Sequence, residues 1–134
     1  AHHFARTLRY VINGVVEISS ANEDVFGVLQ SMSEKDVLIL FSFARYYKMD
    51  AEICKMAQKK NVKICLITDN LISSIASYAD LLIKVETDSM SFYNSVIALN
   101  FVCEYMTTLL CRQKEQEIRD RLNFNDQYSE FLRI

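Results

Sequence analysis

Proline is absent from the 134 residues, glycine occurs twice and tryptophan not at all. Without Pro- or Gly-rich stretches the chain has no segment that reads as a linker, a low-complexity tract or a repeat boundary, so one compact unit is expected. An excess of one charge is also missing: 15 Lys and Arg stand against 17 Asp and Glu, a formal net charge of -2. A DNA-binding surface rests on clustered Lys and Arg that neutralise phosphates, so none is expected on this segment. The Walker loop, the G-x-S-x-G elbow and the HExxH metal helix are all absent. The four cysteines, Cys54, Cys65, Cys103 and Cys111, form no C-x-x-C pair and have no His at metal-ligand spacing. They lie in apolar stretches and read as reduced core residues, and no metal or cofactor is expected. Reduced thiols, with polar and basic opening residues in place of a signal peptide, predict a cytoplasmic protein.

What is present is apolar patterning, at 51% hydrophobic residues. Ala1 to Val11 has a helical stripe of Phe4, Leu8 and Val11, ended by Asn13-Gly14. Val15 to Ile18 reads as a short β-branched strand. Ser20 or Asn22 caps a helix to about Met32, with Val25, Val28 and Leu29 inward. Val37 to Phe43 (VLILFSF) is apolar on both faces, as in a central parallel strand. A helix from Tyr47 to Lys60 buries Ile53, Met56 and Ala57. Lys63 to Thr68 (KICLIT) is a second fully buried strand, Ile72 to Tyr78 a short helix, and Leu81 to Val85 a third strand. A long helix is expected from near Ser89, reaching as far as Leu122, followed by a short docking helix.

Alternating strands and helices with long crossovers predict a doubly wound parallel sheet in a three-layer α/β/α sandwich. Ligands of such sheets bind at the carboxyl ends of the strands, here the loops from Ser42 to Tyr47, Thr68 to Ser73 and Glu86 to Ser91. The run from Met90 to Cys111 is long enough to span a bilayer but holds Asn94, Asn100, Glu104, Thr107 and Thr108. An ionised Glu at that depth is costly, so no membrane span is expected. Phe92, Val96, Leu99, Phe101, Val102, Tyr105 and Leu109 make that helix apolar on more than one face, which predicts a homodimer through the helix that starts near Ser89.

From Asp36 the chain resembles the sugar-isomerase (SIS) domain. DVLILFSFARYYKMDAEICKMAQKKNVKICLITDN has that family's strand, serine loop, amphipathic helix, basic turn and strand ending in I-T-D. ISSIASYADLLIKVETD is similar to its short helix, A-D pair and next strand, and SFYNSVIALNFVCEYMTTLL to its final helix. The resemblance covers about Ala1 to Leu110 and implies a flavodoxin-like SIS fold for residues 1–134. The pair Arg45-Tyr46 and the run Ser91-Phe92-Tyr93-Asn94-Ser95 resemble one branch of the RpiR-type transcriptional regulators. Such a regulator carries a helix-turn-helix domain ahead of its SIS domain, so DNA would be bound only through a domain outside this chain. A SIS domain also begins with a strand, the middle one of its sheet, ahead of the helix at which this chain starts. That first strand is expected upstream.

The family binds phosphosugars through a loop S-x-S-G-x-T. Here the loop is Ser42-Phe43-Ala44-Arg45-Tyr46-Tyr47, which keeps only the first serine. Arg45 replaces the lost hydroxyls with a charged fork beside a helix N-terminus. Ser42, Arg45, Tyr46, Tyr47, Ser91 and Asn94 are the expected binding residues for a phosphosugar or sugar-acid effector. Asp69 reads as a turn or cap residue. No catalytic residue is assigned, since Asp69, Glu86 and Asp88 form no recognisable acid–base pair. The expectation is a phosphosugar-sensing and dimerisation domain of an RpiR-type regulator. A ligand-free SIS-like dimerisation module and a sugar-phosphate ketose-aldose isomerase are the alternatives.

Overall fold

The computed structural model describes residues 1–18, 24–45, 47–90 and 92–132. Its elements run α1 (His2–Val11), α2 (Val25–Ser31), β1 (Val37–Ser42), α3 (Lys48–Lys59), β2 (Lys63–Thr68), a 3-10 turn (Ala76–Tyr78), β3 (Leu81–Lys84), α4 (Ile97–Gln113) and α5 (Glu115–Leu132). The chain divides into two compact units, Ser20–Leu99 and Ala1–Ser19 with Asn100–Ile134.

The first unit is built on a parallel sheet of order β1-β2-β3. β2 is central, and Ile64, Cys65, Leu66, Ile67 and Thr68 are all buried. α3 packs on β2 through Ile53, Cys54 and Ala57, its buried residues, and α2 packs on α3. α2 starts at Asp24, whose side chain accepts from the Gly27 amide at 2.8 Å. A Cβ on Gly27 would lie 1.9 Å from Asp24 Oδ2, so a side chain there would have to displace the capping carboxylate. The expected caps Ser20 and Asn22 lie outside the described residues. Lys60 closes the far end of α2 by donating to the carbonyls of Gln30 and Met32. Asp80 fastens the amino end of β2: it accepts from Lys63 Nζ at 2.8 Å and from the Ile64 amide at 2.9 Å.

In the second unit α1 packs on α5 and buries Phe4, Ala5, Leu8 and Val11. Gly14 adopts φ +74 just beyond α1, the backbone reversal expected of Asn13-Gly14. α5 is polar and carries the ion pair Arg119–Glu115 at 2.6 Å, one helical turn apart.

Several expectations need correction. β1 was expected to be fully buried, but it is an edge strand among the described residues. Leu38 to Phe41 are half-buried and Val37 is 59% exposed. An apolar run reports which faces are dry, not how many strands flank it. Val15 to Ile18 forms no strand, because no described strand lies beside it to complete a ladder. Ile72 to Tyr78 is helical only over its last three residues. The helix expected from near Ser89 begins at Ile97. The Ser95 amide donates to the Thr87 carbonyl at 2.7 Å and Ser89 Oγ to the Tyr93 carbonyl at 2.8 Å, which holds the preceding segment as a loop. That helix also breaks at Lys114, and the expected docking helix is the end of α5. Cys54, Cys65 and Cys103 are buried, while Cys111 is half-buried. Among the described residues no helix is long and apolar enough to cross a membrane.

Candidate functional site

The strand register builds the site. Ser42 lies opposite Thr68, and Thr68 opposite Lys84, so the last residues of the three strands form one row at the carboxyl edge. The loops that leave this row carry Ala44 and Arg45, Asp69 and Asn70, and Glu86 to Ser89.

Ser42 is 3% exposed, as expected of a strand-end residue facing the protein. Its Oγ donates to Asp50 Oδ2 at 2.5 Å. Asp50 sits in the first turn of α3, where a carboxylate also gains from the helix dipole. The Ala44 amide donates to Asp69 Oδ2 at 3.3 Å, which ties the serine loop to the end of β2. Between them Arg45 adopts φ +79, a left-handed conformation that its Cβ disfavours, with its side chain exposed. The backbone therefore keeps a conformation natural to glycine while presenting a guanidinium.

Two further turns follow in the loop after β2. Thr68 Oγ1 accepts from the Asn70 amide at 3.3 Å, and Asn70 Oδ1 from the Ile72 amide at 2.9 Å. The Ser73 hydroxyl in the same loop is buried with no hydrogen-bond partner among the described residues. Lys84 pairs with Glu86 at 2.5 Å, and this hydrogen bond and charge hold the ammonium pKa above its usual range. Behind the loop, burial pushes the Cys54 thiol up to about 11, with the charge of Asp50 adding to it. Cys54 is thus a protonated packing residue at neutral pH, not a nucleophile.

The expected binding residues divide. Ser42 and Arg45 lie in the same loop at the carboxyl edge. Tyr47 is the N-cap residue of α3, 74% exposed, and makes no side-chain cap bond. Asn94 is exposed three residues before α4, in a loop and not at the expected helix start. Tyr46 and Ser91 lie outside the described residues. Asp69 is the turn residue it was expected to be, with a tie to Ala44 added. Asp50 was missed altogether. The signal for it was an acid in the first turn of a helix that follows a strand-end serine, a spacing of eight residues.

These donors and acceptors, with the exposed cations of Arg45 and Lys84, can hold a polyol or an anion. Residues 1–109 match the family model described as SIS domain. No curated protein sequence matches the chain. Among solved structures, the sugar isomerase domain of an RpiR transcription factor from Sphaerobacter thermophilus superposes with a TM-score of 0.86 at 17% identity, covering 94% of this chain and 70% of that one. A hypothetical protein from Methanococcus jannaschii, inferred to be a 3-hexulose-6-phosphate isomerase, gives 0.59 at 20% identity, covering 91% of this chain and 63% of that one. Both likenesses concern the fold.

Proposed function

The chain belongs to the SIS-domain family, and from that premise we propose that it is the phosphosugar-sensing and dimerisation domain of an RpiR-type transcriptional regulator. The observation that carries this is the use of the carboxylates at the strand ends. Asp50 is held by Ser42, Asp69 by the Ala44 amide and Glu86 by Lys84. A ketose-aldose isomerase needs a base free to take a proton from a sugar carbon. Here these carboxylates are engaged in positioning, and Arg45 is an exposed cation in the serine loop. Such a site binds an anionic sugar without turning it over. The likeness to the Sphaerobacter domain supports the regulator assignment.

In this proposal residues 1–109 form most of a SIS domain whose first strand lies upstream and pairs with the open edge of β1. A helix-turn-helix domain upstream of that strand contacts DNA, the protein is cytoplasmic, and α4 joins two copies. The self-satisfied loop also favours a second assignment, a SIS-like dimerisation module without a ligand. Calorimetric titration with a panel of phosphosugars and sugar acids, beside an isomerase assay on the same compounds, separates the three. Micromolar binding without turnover is expected. Absence of binding favours the ligand-free module, and turnover above background restores the enzyme.

A further inference from the structure

The Ser42 hydroxyl has one proton to donate and the Ala44 amide one. Both are directed at carboxylates of the chain itself, Asp50 at 2.5 Å and Asp69 at 3.3 Å. Both donors belong to the serine loop that also carries Arg45. An incoming phosphate oxygen cannot receive either proton while the carboxylates hold them, and it meets two like charges at close range. A carboxylate, in turn, is an acceptor with several lone-pair sites, and the groups that satisfy it best after displacement are hydroxyls.

We propose that Asp50 and Asp69 are built-in competitors for the anion site: a ligand enters by displacing them from Ser42 and Ala44, and they then accept hydrogen bonds from its sugar hydroxyls. The loop would in this way reject inorganic phosphate and select a polyol phosphate, which supplies both the anion and the hydroxyls. This rests on the phosphosugar-sensing assignment and specifies how that site discriminates. The two carboxylates belong to different elements, α3 and the loop after β2, so one ligand would release two ties at once and loosen the serine loop from its neighbour.

The test is titration of the parent, Asp50→Asn and Asp69→Asn with inorganic phosphate, glucose 6-phosphate and glucose. Asparagine keeps the shape and an acceptor oxygen but removes the charge. Both variants are expected to bind inorganic phosphate roughly ten-fold or more tighter than the parent, to narrow the preference for glucose 6-phosphate over phosphate, and to gain nothing for glucose. Should one variant fail to fold, as judged by circular dichroism, the other carries the comparison. A parent that binds glucose 6-phosphate while neither folded variant gains phosphate affinity overturns the competitor role and leaves the sensing assignment intact. An equal gain for glucose also overturns it, because the effect is then not one of charge. Absence of binding by the parent and both variants overturns the competitor role and the sensing assignment together.

Discussion

Arg45 carries two opposed effects in one residue. Its φ of +79 disfavours any side chain, by roughly 1–2 kcal/mol, yet its guanidinium is the exposed charge of the loop. Arg45→Gly separates the two. Relief of the strain, less roughly 0.5–1 kcal/mol for the greater unfolded freedom of glycine, leaves the variant up to about 1.5 kcal/mol more stable in urea denaturation. The same change removes a charged hydrogen-bond donor worth roughly 1.5–3 kcal/mol, so phosphosugar binding should weaken by about ten- to a hundred-fold. Arg45→Lys should recover part of the affinity, as a point charge cannot reproduce the fork. A variant that is both less stable and equally tight in binding would show that the left-handed turn is set by packing and that the anion lies elsewhere. Ser42 and Arg45 were legible as candidates because a strand-end serine and an out-of-place arginine stand out against the family's loop. Asp50 was not, because a charged residue on an amphipathic helix looks like part of its wet face. Only the fold shows that its carboxylate turns back onto the strand end.

At the scale of elements, β2 is where local pattern and observed structure agree, and Asp80 is the residue that anchors it. Lys63 and the Ile64 amide donate to its carboxylate and hold its pKa below the ordinary 3.8. A group depressed on folding stabilises fully above its unfolded pKa, and that stabilisation is lost as the pH falls through the folded value. The stability difference between the parent and Asp80→Asn should therefore be largest at neutral pH and shrink below about pH 4. Its size is small because the pair is exposed and screened by solvent. Urea denaturation of both proteins at pH 7 and pH 3 measures it, and a gap that widens in acid would show that Asp80 is not held ionised by these partners. The boundaries of β2 were readable because KICLIT alternates into two dry faces. VLILFSF has the same character, yet β1 is half-exposed, since burial also depends on the strand beside it. Val15 to Ile18 fails for the same reason: a strand is a property of a pair. The start of α4 was misplaced because Phe92 and Val96 continue the apolar run, while the Thr87–Ser95 hydrogen bond that holds them in a loop is a tertiary contact invisible to periodicity.

At the scale of the whole molecule, α4 presents an exposed apolar stripe. Ile97, Phe101, Tyr105 and Leu109 recur every four residues and form one stripe, with exposures of 79%, 69%, 57% and 42%. Phe101 and Tyr105 stack along it with ring centroids 6.3 Å apart. Four large apolar side chains in one line are more than a surface helix leaves in water, and a second copy of the same stripe is self-complementary about a twofold axis. The interface should be large and hydrophobic, on the order of 2,000 Å² in total once the neighbouring loops join it. We expect a dimer at micromolar concentration when the protein is prepared with the upstream strand proposed above, so that the open edge of β1 does not itself drive association. Phe101→Asp should give a monomer, because a carboxylate at the centre of the stripe would be buried without a partner. Its melting temperature should then become independent of protein concentration, while that of the parent rises with it. Sedimentation velocity on both proteins decides the matter: a parent that sediments as a monomer at micromolar concentration, or a Phe101→Asp variant that remains a dimer, would remove α4 as the joining surface.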